Sequence, residues 1–168
     1  MRPLRDEEKR CICQFIRAFV PVARITDHPF RKIAEDQISL LMWRWTADGV
    51  NTKTGLVRKD GLKRSIKFQR HTRKACKVAR TSAKSLRHEH VVPRNVLARE
   101  IVDKDMSEGE IHRFLTKFCL AAIVTKKEDQ SLNRAEMPED WDFSTGNPFQ
   151  RYVDAKLIEE MCDVSHND

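Results

Sequence analysis

Wherever the apolar residues of this chain keep a pattern, they mostly recur three and four positions apart, and that spacing most narrows the folds open to it. Ile12, Phe15, Ile16, Phe19 and Val20 mark one such face. It follows an acidic turn (Asp6, Glu7, Glu8) suited to the positive end of a helix dipole, and Pro21 is expected to end the helix. A second helix is expected from Asp27 as N-cap, with Pro29 in its first turn, to about Ala47. Phe30, Ile33, Ile38, Leu41, Met42 and Trp45 form its apolar side. The stretch from Asp48-Gly49 to Asp60-Gly61 reads as a long turn or hairpin. Ser65 to Gln69 alternates briefly as a strand does, whereas Thr72 to Ser85 reads as a helix with a thin apolar stripe among many bases.

Past that point the signals shorten. Arg87 to Pro93 is expected to be extended, because Val91-Val92 and the residue before a proline disfavour helix. Arg94 to Val102 fits a helix. Ser107-x-x-Glu110 and Thr125-x-x-Glu128 are capping boxes that open two more, the second running to about Asn133, and Ala121 to Val124 between them reads as a buried strand. Asn147-Pro148 opens a last helix carrying Phe149, Tyr152, Val153 and Leu157. The fold class expected is mainly α with a small β element (α+β).

At 168 residues, with 40% hydrophobic and 34% charged side chains, the chain has room for one domain with a real core. Residues 1–50 read as a helical segment and a candidate subunit or homodimer surface. Residues 51–168 hold everything else, and the two parts are expected to form one compact unit. No apolar run approaches the length of a membrane span, and the N-terminus turns acidic where a signal peptide needs apolar residues. No membrane association is expected, and the protein is expected to stay in the cytoplasm. Five scattered cysteines, an odd number, argue against a disulfide framework and read as small core residues.

Charge is distributed unevenly. Residues 1–62 carry a net +4, residues 63–94 a net +10 with Glu89 as the single acid, and residues 95–168 a net −7. A block like the middle one makes several phosphate contacts and releases counterions, which is the main source of salt-dependent affinity for nucleic acid. The residues expected to bind it are Lys67, Arg70, Arg73, Lys74, Lys77, Arg80, Lys84, Arg87 and Arg94.

Directly after this block stands His88-Glu89-His90-Val91-Val92-Pro93. On an extended chain adjacent side chains point to opposite sides, so a carboxylate for a metal and an imidazole for a proton can sit side by side. Phosphodiester hydrolysis needs both: a cation against the charge developing on phosphate, and a base of near-neutral pKa for the nucleophile. Glu89-His90-Val91-Val92-Pro93 resembles the first motif of the HNH, or ββα-metal, nucleases. Ile123 to Asp129 is similar in outline to that family's closing strand-then-helix motif, with Asp129 or Glu128 where its last metal ligand sits. The resemblance implies an HNH-like strand/helix core after the helical N-terminal part. It implies His90 as general base, Glu89 and Asp129 as metal ligands, Mg²⁺ or Mn²⁺ as the metal, and DNA rather than RNA as substrate. Asn147 to Tyr152, with its Arg151-Tyr152 pair, is expected to support the site by packing.

The family's central Asn has no clear counterpart here, and about 30 residues that read as helices replace its compact hairpin. Two other readings use the same residues differently. One is a non-catalytic nucleic-acid-binding protein working through the 63–94 face. The other is a protein-interaction module whose basic face meets an acidic partner.

Overall fold

The computed structural model describes residues 4–25, 27–46, 70–132 and 136–162. Its elements are α1 (Asp6–Arg24), α2 (Arg31–Trp45), β1 (Arg70–Thr72), α3 (Arg73–Ala79), β2 (Leu86–His90), α4 (Arg94–Asp103), α5 (Glu108–Phe118), β3 (Ala121–Thr125), α6 (Lys126–Ser131), α7 (Gln150–Asp154) and β4 (Met161–Cys162). Short 3-10 turns occupy Ala83–Ser85 and Ile158–Glu160. The architecture is α+β and mainly helical, as the spacing of apolar residues indicated. The expected turn at 48–61, the strand-like 65–69, Lys67, Ala47 and Asn133 lie outside the described residues.

Helices α1, α2, α4 and α5 share one apolar core built on Ile16, Val20, Ile38, Met42, Leu97, Ile101, Ile111 and Leu115. Trp141 and Phe143 pack against it beside Phe114 and Phe118, with ring centroids 4.7–6.1 Å apart. Asp105, in the turn between α4 and α5, pairs with Arg17 and Arg24 on α1 and ties the hairpin of α1 and α2 to the rest.

The strands form one mixed sheet in the order β2-β3-β1-β4. β2 and β3 are antiparallel with Glu89 opposite Ala122, β3 and β1 run parallel, and β4 returns antiparallel to β1. Alternation then sorts the side chains onto two faces. Ala122 and Val124 pack with Val91, Leu132, Tyr152 and Leu157 on the side of α7. Ile123 packs with Leu86 and Ala75 on the side of α3.

Several elements depart from their sequence expectations. α1 runs past Pro21 to Arg24, because an exposed proline removes only one backbone donor while Val20 and Ala23 stay buried around it. α2 starts at Arg31 instead of being capped by Asp27. Residues before it form turns, and His28 Nδ1 accepts the Phe30 N–H at 3.1 Å. Ile33 and Phe15, both expected on apolar inner faces, are more than half exposed. α3 stops at Ala79, since Ala75 is its one buried side chain and the thin stripe gives the next turns nothing to pack. α7 begins after Asn147 Oδ1 accepts the Phe149 N–H at 3.0 Å, and Leu157 lies beyond its end. All five cysteines are free; Cys13 and Cys119 are buried as core residues, while Cys11 is exposed.

Candidate functional site

The site is built where β2, β3 and α6 meet. Thr125 ends β3 and caps α6: its hydroxyl accepts the Glu128 N–H, while its own N–H and hydroxyl donate to Glu128 Oε2, both at 2.8 Å. A capping acid is ordinarily exposed. Here Glu128 is buried, and Thr72, at the end of β1, also donates to its Oε2 at 2.9 Å. Thr72 is itself the N-cap of α3, accepting the Ala75 N–H at 3.1 Å. One carboxylate therefore joins the starts of two helices that leave neighbouring parallel strands. Asp129, the next residue, is buried as well.

Glu89 faces α7, on the same side of the sheet as Ala122. Arg151 comes up from α7 to meet it, its side chain 2% exposed and that of Glu89 18%. Arg151 Nη2 donates to Glu89 Oε1 at 2.7 Å and to the His90 carbonyl at 2.7 Å, and Nε donates to the Val91 carbonyl at 3.2 Å. The guanidinium thus grips the whole turn out of β2. Burial lowers its pKa, and the charge of Glu89, the Tyr152 phenol and the charge of Asp129 raise it in turn. Tyr152 sits among the same charges, its phenol pushed up first by burial and then by Glu89, with Asp129 and Glu128 adding to the rise. Tyr152 Oη and Glu128 Oε1 are buried without a hydrogen-bond partner among the described residues. Arg151 also lines an open cleft of about 330 Å³ with Ser131, Glu136, Pro138, Asp154 and Ala155.

The two histidines occupy the other face of β2. His90 Nε2 lies 2.9 Å from Thr46 Oγ1 and His88 Nε2 3.2 Å from the Thr46 carbonyl, with their rings edge to face at 5.2 Å. The Thr46 hydroxyl also lies 3.1 Å from the Trp43 carbonyl, and the Met42 carbonyl is a further hydrogen-bond partner of the His90 ring, so protein groups of α2 and its C-cap hold the imidazole. Burial drives the His90 pKa well below 6.5, and it lowers that of His88. Both imidazoles are therefore neutral near pH 7. That is the protonation state a base requires, but the burial responsible also weakens the base.

Of the residues expected on a nucleic-acid surface, Arg70, Arg73, Lys74, Lys77, Arg80, Lys84 and Arg87 are exposed along β1, α3 and the start of β2. Arg70 also lies over the Phe149 ring, 4.9 Å from its centroid. Arg94 turns inward and donates to the Ser39 carbonyl at 3.0 Å, tying α4 to α2. Lys67 is outside the described residues.

The fold thus brings Glu89 and Asp129 into the field of one guanidinium and puts His90 on the opposite face of the strand. Among the described residues, no three His, Cys, Asp or Glu side chains gather as a metal cluster, and no helix is long and apolar enough to cross a membrane. Sequence reasoning missed Thr72 and Thr46 as members of this neighbourhood, and offered Glu128 only as the alternative to Asp129. The capping box pointed to Glu128, but its burial depends on β1 arriving beside β3. No family model, curated protein or solved structure matches the chain.

Proposed function

We propose that this chain binds nucleic acid, DNA before RNA, on the exposed bases between Arg70 and Arg87, and that it hydrolyses phosphodiester bonds at Glu89 and Asp129 as a metal-dependent endonuclease of HNH-like type. One observation carries the reading. A strand pair running directly into a helix sets Glu89 on β2 and Asp129 on α6 around the buried Arg151, in the same sheet whose β1 leads into the basic α3.

The donor set suits a hard divalent ion in kind. Carboxylates accept Mg²⁺ or Mn²⁺, which keep several waters and need only one or two protein ligands, and the partnerless Glu128 Oε1 and Tyr152 Oη leave buried oxygens nearby. Glu89 and Asp129 would hold such an ion, and when bound it would supply charge stabilisation at the phosphate and the leaving oxygen. Arg151 orients Glu89 and fixes the backbone of the turn that carries His90. His90, neutral and fixed by Thr46, is the base of this reading. Arg70 and Arg87, which strand alternation puts on the Glu89 face of the sheet, are the bases of this reading that hold the phosphate backbone near the carboxylates, while those of α3 extend the basic surface on the other face.

A second reading, a non-catalytic nucleic-acid-binding protein using the same basic face, is favoured by two contacts. Glu89 already has a buried cationic partner, and the His90 ring is turned to Thr46. Cleavage of plasmid and single-stranded DNA with Mg²⁺, Mn²⁺ or EDTA separates the two, comparing wild type with folded His90→Ala. The nuclease reading expects metal-dependent nicking that the variant loses while still shifting DNA at low salt. DNA binding by both proteins with no cutting in any metal selects the second.

A further inference from the structure

The hairpin of α1 and α2 carries an apolar surface that its own core leaves uncovered. Phe15 is 61% exposed, Ile25 53%, Phe30 59%, Ile33 54% and Leu40 42%, and these are five of the seven large hydrophobic residues most exposed among the described residues. Helical spacing gathers them on one side. On α1, Cys11, Phe15 and Ala18 follow one another at three or four positions, and from Phe30, at the N-cap of α2, so do Ile33, Gln37 and Leu40. The flank bearing Arg17 and Arg24 faces the turn between α4 and α5, where both pair with Asp105. The flank of α2 bearing Arg31 and Glu35 borders α4. The apolar seam is the side left over, running along the hairpin away from the other described elements.

We propose that this seam is the interface of a homodimer, in which the hairpins of two copies pack into a four-helix bundle. Two quantities select a second copy as the occupant. Half-exposed side chains of this size present roughly 100 Å² each, so the five supply about 500 Å² per copy. With the neighbouring Ala18 and Gln37 the seam makes up much of the roughly 800 Å² that each partner gives a stable complex, and it stands at the upper end of what a monomer ordinarily leaves bare. Charge is the second. Residues 4–46 carry eight bases and six acids with the signs interspersed, unlike the basic block, so a like copy is not repelled. Glu7, exposed at the start of α1, and Arg44, exposed at the end of α2, stand at the same end of the antiparallel hairpin. A two-fold axis parallel to the helices lays α1 of one copy antiparallel over α2 of the other, so Glu7 meets Arg44 of the second copy. Every helix in that bundle has antiparallel neighbours, and the contact closes on itself.

Sedimentation of the full chain over a range of concentrations tests this. Wild type is expected to pass from one chain mass to two. Phe15→Glu with Ile33→Glu, both at exposed positions and checked for unchanged helicity, should weaken the dimer by about a hundredfold or more. Arg44→Glu should weaken it less, and adding Glu7→Arg should restore it. A wild type that stays monomeric up to about 100 µM overturns the proposal, as does a dimer indifferent to the double variant. Failure of the charge swap to restore association overturns the parallel arrangement.

Discussion

The helical part of this molecule and the sheet part solve the problem of a core in opposite ways. Between α1, α2, α4 and α5 the buried cluster is aliphatic and aromatic, with Ile16, Ile38, Leu97, Ile101 and Leu115 fully inaccessible. Around the sheet the apolar clusters are small, and His71, Thr72, Glu128, Asp129, Arg151 and the Tyr152 hydroxyl share the interior with them. Apolar burial is non-directional, so the first region tolerates changes that keep its volume. Buried charge holds only while each partner is in place, so the second depends on particular contacts. A fold that keeps charges inside a thin sheet layer while a separate helical core supplies stability has the distribution expected of scaffold and site.

The contrast can be broken most forcefully at Arg151. Arg151→Met strips Glu89 and two carbonyls of their donor, and should cost about 3–5 kcal/mol in a denaturant titration, several times more than a shape-matched change in the helical core such as Leu97→Met. A loss below about 1 kcal/mol would mean that the network contributes little. Ile16→Ala, by comparison, removes side-chain volume from a closed apolar site and should cost about 2–5 kcal/mol in the same measurement.

Acid sharpens the comparison further. His90 and His88 have folded-state pKa values below 6.5, so the unfolded chain binds more protons as pH falls through that value. Their contribution is fully present above about pH 6.5 and is lost as pH falls towards their depressed folded values. Thermal melts from about pH 7.5 to about pH 5 should show a falling midpoint, and His90→Gln should flatten the slope. An unchanged slope in the variant would place the acid sensitivity elsewhere.

Thr125→Ala is a smaller perturbation. It removes the side-chain cap of α6 and the hydroxyl that donates to Glu128, for about 1 kcal/mol. The smallest effect on stability belongs to the surface. Lys74→Gln, Lys77→Gln and Arg80→Gln together should leave the melting temperature nearly unchanged. They should also reduce the slope of log affinity for duplex DNA against log salt by roughly 0.9 for each phosphate no longer neutralised. A slope that does not move removes α3 from the binding surface.

What could be read in advance follows from the range of the interactions involved. The capping boxes at Ser107 and Thr125 are written within four residues, and both stand in the structure with their reciprocal bonds. The strand at Ala121 to Val124 and the extended run into Pro93 are local as well. The helix through Pro21 was not legible, because its continuation depends on Ala23 being buried and Arg24 reaching Asp105, far along the chain. Nor was the burial of Glu128, which needs Thr72 from a parallel strand, or that of His90, which depends on Thr46 at the end of α2. Glu89, Asp129 and Arg151 were each singled out from short motifs, yet the guanidinium's bonds to the carbonyls of His90 and Val91 belong to the folded chain alone.

The most direct test is to count Mn²⁺ ions bound per chain, by electron paramagnetic resonance, with a short DNA duplex present. Wild type is expected to hold a bound ion that Asp129→Asn gives up while still binding the duplex. If all the Mn²⁺ stays free in wild type, or the variant binds it equally well, the carboxylates are not a metal site, and the basic surface is left to carry the function.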